Sequence, residues 1–97
     1  MAVNIYLVDY DIPAELRHRF YYDLRRNIIK FLLDGVEDMA RRKQYKKMGL
    51  KQLLEKIGYV KSSRSVILVN DRKVAYLIHQ TAKKYGYSNL FEVKKIE

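Results

Sequence analysis

From Val3 to Ile12 the chain alternates. Val3, Ile5, Leu7, Asp9 and Asp11 share one face of an extended strand, and Tyr6, Val8, Tyr10 and Ile12 share the other. Both faces are largely apolar, which predicts a central strand covered on both sides. Pro13 has no amide to give to a ladder, so it ends the strand. It suits the first turn of a helix. The period then changes. Leu16, Phe20, Leu24, Ile28 and Phe31 form one apolar stripe at helical spacing, with Arg19, Asp23, Arg26 and Lys30 to one side. Asp34-Gly35 reads as a stop.

The stretch 36–49 has little apolar periodicity. Met39, Tyr45 and Met48 are its main apolar contacts, and the pattern admits either a helix or a loop. Helix resumes at Leu50, Leu53, Leu54 and Ile57, and Gly58 offers a left-handed cap. Val66–Val69 is a β-branched strand. Asn70 or Asp71 can cap the next helix. The apolar stripe of that helix is Val74, Leu77, Ile78, Ala82 and Tyr85, and Gly86 closes it. Asn89–Ile96 is a final strand with the charged pattern of an edge or half-exposed position. The order predicts a single α/β (α+β) domain over residues 1–97: a two-layer sandwich with helices on one face, ferredoxin-like or a reduced form of it. A complete version needs a fourth strand. Tyr59–Val69 is long enough to supply one by bending, and the pattern leaves that open.

Charge changes the picture most. The 97 residues carry a formal net charge of +9, with 20 Lys and Arg against 11 Asp and Glu. Residues 14–64 hold fourteen of the basic groups and six of the acidic ones. Such a block attracts polyanions, nucleic acid first, and otherwise serves as a solvated surface or docks an acidic protein. The absence of cysteine excludes disulfides and thiolate metal sites. No apolar run approaches a membrane span. A cytoplasmic location and no membrane partner are the expectations.

Two pieces of candidate chemistry stand out. Asp9 and Asp11 lie about 6.5–7 Å apart along one strand face. Paired carboxylates there can hold Mg²⁺, an oxygen-seeking cation that activates water and neutralises a phosphodiester. The plainer alternative is that Asp11 caps the helix after Pro13 while Asp9 pairs with an arginine of that helix. The second piece is basic. Arg19, Arg26 and Lys30 can track phosphates, although Asp23 is placed to pair with the two arginines. "RRKQYKK" contributes Arg41, Arg42, Lys43, Lys46 and Lys47 with fewer acidic neighbours, and Tyr45 among them can stack on a base or anchor the segment. His18 is a candidate proton carrier or a plain surface residue. His79 falls on the polar side of its helix. No P-loop, GxGxxG, zinc pattern, nucleophile elbow or RNP-type aromatic motif is present.

Three stretches together resemble the small CRISPR-associated spacer-acquisition family, Cas-two, and its VapD-like relatives. "VDYDIP" is similar to the end of that family's first strand, with Tyr10, Asp11 and Ile12 on the motif. "LRHRFYYDL" resembles the Arg-rich start of its first helix, where Arg17 and Arg19 stand. "LLEKIGYVKSSRSVILV" resembles its helix-to-second-strand passage through Gly58, Lys61, Ser65 and Val66. The resemblance implies a ferredoxin-like homodimer in which Asp11 approaches its symmetry mate and holds a divalent metal for cleavage of DNA or RNA. It equally implies a non-catalytic DNA-binding scaffold with an integrase-type protein partner. Residues 34–50 depart from the pattern as a basic insertion, and the chain continues little beyond its last strand. Three functions follow as expectations: a metal-dependent nuclease, a nucleic-acid-binding scaffold or regulator, and a protein-docking module.

Overall fold

The computed structural model describes residues 2–57, 59–63 and 65–96. The alternating first segment becomes β1 (Ala2–Asp11), and Pro13 leads into a short 3-10 turn (Ala14–Leu16) and α1 (Arg17–Leu33). Pro13 has φ −52°, a value its ring imposes and a helix entry can use. The basic segment settles the choice between helix and loop: it is α2 (Met39–Lys47), followed by α3 (Leu50–Lys56). Tyr59–Val69 does bend into two strands, β2 (Tyr59–Ser63) and β3 (Val66–Val69). α4 (Arg72–Lys83) and β4 (Tyr87–Ile96) complete the chain. The expected cap at Gly58 lies outside the described residues.

The four strands form one antiparallel sheet in the order β2-β3-β1-β4. β1 is central, as its apolar character predicts. Tyr6 stands opposite Val69 and Val8 opposite Ile67 on one side, while Leu7 faces Phe91 and Asp9 faces Asn89 on the other. Coverage on both faces, however, is not what one chain provides. Val8, Tyr10 and Ile12 are buried under the helices together with Ile67 and Val69. The opposite face, carrying Ile5, Leu7, Val66 and Leu68, stays half-buried, and Phe91 and Val93 next to it are 52% and 44% exposed. The molecule measures 41 × 38 × 18 Å between Cα atoms, and the thin direction has room for one sheet and one helical layer.

The core joins Phe20, Leu24, Ile28, Ile29 and Leu33 of α1 to Val74, Ala75, Ile78 and Ala82 of α4 and to Leu53 and Leu54 of α3. Phe31 and Leu16, expected within the α1 stripe, are half-buried at its margin, and Ile29 and Leu33 take the deeper places. Among the described residues Thr81 is the buried polar one. Its hydroxyl donates to Leu77 O (2.8 Å) and accepts from Asn27 Nδ2 (3.0 Å), which ties α1 to α4 without an unpaired polar atom. Asp71 caps α4 by accepting from Lys73 N and Val74 N. Gly35 has φ +78°, the left-handed turn that ends α1 and sends the chain back toward α2.

α2 is unlike the other long helices because none of its residues is buried. Nine residues of polar helix are marginal alone, so polar bonds must hold them. Asp38 caps the start by accepting from Ala40 N, and Arg42 Nη1 donates to Val36 O at 3.0 Å. At the other end Arg25 of α1 donates from Nε to Met48 O at 2.8 Å and from Nη2 to Lys46 O. That guanidinium fork satisfies carbonyls that the helix leaves unbonded and opposes the negative end of its dipole.

Candidate nucleic-acid interface

Asp9 and Asp11 do share a face, the open one, at the end of β1. Asp9 is half-buried between Val66 of β3 and Asn89 of β4. Asp11 is exposed and stands opposite Tyr87, itself 70% exposed. The plainer roles do not survive. Neither the 3-10 turn nor α1 begins with a side-chain cap bond, so Asp11 caps nothing there. Asp9 points away from the helical layer, so an arginine of α1 is not its partner.

Instead Asp11 lines a small pocket of about 190 Å³ with Tyr10, Ile12, Arg17, Tyr21 and Ser65. Two elements fix its walls. Tyr10 N donates to Ser65 O (3.0 Å), which binds β1 to the turn before β3, and Arg17 Nε donates to Ile12 O (3.3 Å). The Tyr10 ring packs on Phe20 at 5.1 Å between centroids, and Phe20 packs on Tyr21 at the same distance. Burial, reinforced by the neighbouring Tyr21 hydroxyl, pushes the Tyr10 hydroxyl well above the usual tyrosine range, so it stays a neutral donor. Gly86 presses on the same strand end. A Cβ there would meet the Asp11 carbonyl oxygen and the Ile12 backbone, so only glycine permits this approach.

The pocket therefore brings a carboxylate, a guanidinium and hydroxyl groups around a space of about 190 Å³. Of the basic residues expected to bind nucleic acid, Arg17 is the one placed beside Asp11. The others lie on the helical side. Arg19, Arg26 and Lys30 of α1 and Arg41, Lys43, Lys46 and Lys47 of α2 are exposed, while Arg42 is half-buried and partly committed to Val36 O. Asp23 does not take up Arg19 or Arg26 by hydrogen bond. It accepts the Tyr85 hydroxyl, which raises the tyrosine's pKa. Tyr45 is half-buried against the core, so it anchors α2 and is not a free stacking ring. His18 is exposed. His79, expected on the polar side, is half-buried and its Nδ1 meets Ser88 Oγ at 2.7 Å on β4, while burial and then Lys83 lower its pKa.

As a metal site the acids supply a sparse set. Among the described residues no three His, Cys, Asp or Glu side chains come together. Two carboxylates do not make a fully protein-ligated cation site; a Mg²⁺ ion held by Asp11 and Asp9 would have to keep most of its waters or take further oxygens from a phosphate. Tyr21 and Arg25 escape sequence reasoning, the first because tyrosines are common in this chain, the second because its partners are backbone carbonyls. No family model, curated protein or solved structure matches the chain. Among the described residues no helix is long and apolar enough to cross a membrane.

Proposed function

We propose that the protein binds nucleic acid through the exposed cations of α1 and α2, and that it works as a homodimer of ferredoxin-like domains. The sheet order β2-β3-β1-β4 with two helices on one face supports the ferredoxin-like reading and, with it, the resemblance to the Cas-two family. The observation that carries nucleic-acid binding is the row of exposed cations on adjoining helices: Arg19, Arg26 and Lys30 beside Arg41, Lys43, Lys46 and Lys47. Their number suits phosphate contacts that position a strand without reading its sequence. A second copy is the natural cover for the open sheet face, where Ile5, Leu7, Val66, Leu68, Phe91 and Val93 would pair with themselves about a two-fold axis.

Within this reading Asp11, with Asp9, is the candidate holder of Mg²⁺, which would polarise a phosphodiester for hydrolysis. Arg17 is placed to meet a phosphate oxygen, and the neutral Tyr10 hydroxyl helps to shape the pocket. The second reading is a scaffold that binds without cleaving, and the sparse donor set favours it. Asp11→Asn separates the two. Under the nuclease reading, Mg²⁺-dependent cleavage of labelled DNA or RNA disappears while binding persists. Cleavage that continues unchanged removes Asp11 from the chemistry, and intact substrate with the unaltered protein leaves the scaffold.

A further inference from the structure

A cleft of about 490 Å³ runs between the second half of α1 and α2, within the size range of small-molecule sites. Cations dominate its rim. Arg26 and Lys30 stand one helical turn apart on α1, and Lys46 faces them from α2. Arg25 and Arg42 also line it. Both are already braced: Arg25 by Met48 O and Lys46 O, Arg42 by Val36 O. These bonds occupy part of each guanidinium's five donors. They hold the planes in place before any ligand arrives, which lowers the ordering cost of binding. Arg25 also offsets the negative end of the α2 dipole, which would otherwise oppose an anion.

The remaining lining differs in kind. Ile29 and Leu33 are buried and give the cleft an apolar part. Asp34 is the single carboxylate among the described lining residues, against five cations. That surplus suits a multiply charged head, and the apolar part suits a less polar body attached to it. A flat duplex tracks exposed cations and does not fill such a recess.

We propose that this cleft binds one nucleotide through its phosphate, either free or as the phosphorylated end of a strand, with Arg26, Lys30 and Lys46 on the phosphate and the base or sugar against Ile29 and Leu33. The site is separate from the Asp11 pocket, and it shares Arg26, Lys30 and Lys46 with the proposed nucleic-acid surface.

Calorimetric titration of the whole chain with ADP, with adenosine and with inorganic phosphate tests it. ADP binds once per chain, adenosine gives no heat, and phosphate competes weakly. Lys30→Ala and Lys46→Ala each weaken ADP by about tenfold, as loss of a charge-assisted contact does, and Lys73→Ala on α4 leaves it unchanged. Hexanucleotides identify the source. Preference for a 5′-phosphorylated strand over its 5′-hydroxyl twin assigns the site to strand ends, while ADP binding without that preference assigns it to free nucleotides. Absent ADP binding, several ADP per chain, equal binding of adenosine, or an unchanged affinity in the Lys30→Ala/Lys46→Ala variant overturns the proposal. Duplex binding measured on the same variants reports on the nucleic-acid surface that shares these cations; weakened duplex binding with unchanged ADP affinity overturns the cleft proposal alone.

Discussion

The two faces of β1 began from similar sequence and met different ends. One residue of offset separates Val8, fully buried under α1 and α4, from Leu7, half-buried on the open side. The helical side is a closed core wrapped in cations. The sheet side is an unfinished apolar surface that ends in two carboxylates. Contiguous apolar patches on monomers are usually small, and larger ones mark interaction surfaces. Under the proposed function the contrast would divide the work: the helical side would meet a polyanion, and the sheet side a second copy.

Breaking each face should have different consequences. Leu24→Ala on the helical side removes a fully buried side chain, and about 2–5 kcal/mol of stability should go with it in chemical denaturation. Leu7→Asp on the sheet side should leave the monomer folded and abolish the dimer in analytical ultracentrifugation. A wild-type protein that sediments as a monomer at all concentrations refutes the division. Arg25→Ala should cost about 1–3 kcal/mol locally, since two carbonyls lose a charged donor. Hydrogen exchange should then rise in α2 while the core stays protected, and uniform protection would show that α2 holds itself.

The smallest effect concerns His79. Burial, then Lys83, keeps its folded pKa below the usual 6.5, so the folded chain disfavours the protonated ring. That contribution is complete above the unfolded value and is lost as pH falls through the folded one. The stability advantage of the native protein over His79→Gln should shrink from about pH 7.5 to about pH 5. A constant difference would mean that the ring does not titrate with folding.

Strong periodicity explains what could be read in advance. β1, α1 and α4 announce themselves because alternation or a helical stripe is the direct imprint of one buried face. Asp9 and Asp11 were legible as a same-face pair for the same reason. α2 was not, because it offers the core only the half-buried Tyr45 and is otherwise held by Asp38, Arg42 and a guanidinium more than twenty positions away, bonds that leave no periodic trace. The β2–β3 hairpin was ambiguous because the sequence between the two strands is short and polar, with no turn signal of its own. The Asp11 pocket was half legible: Asp11 and Arg17 follow from type and position, but Tyr21 and Ser65 join them only through the packing on Phe20 and the bond from Tyr10 N to Ser65 O. His79 was misplaced because its helix lies against β4, and a sheet edge can half-bury a residue outside the apolar stripe.

The most direct measurement is the affinity for labelled duplex DNA, single-stranded DNA and RNA across a series of salt concentrations. The account predicts that, for at least one of them, log K falls linearly with log salt at a slope steeper than about −3, the mark of about four or more neutralised phosphates. The slope should flatten when Arg41 and Lys43 of α2 become alanine. No binding to any of the three, or binding indifferent to salt, would contradict it and return the exposed cations to the role of a solvated surface.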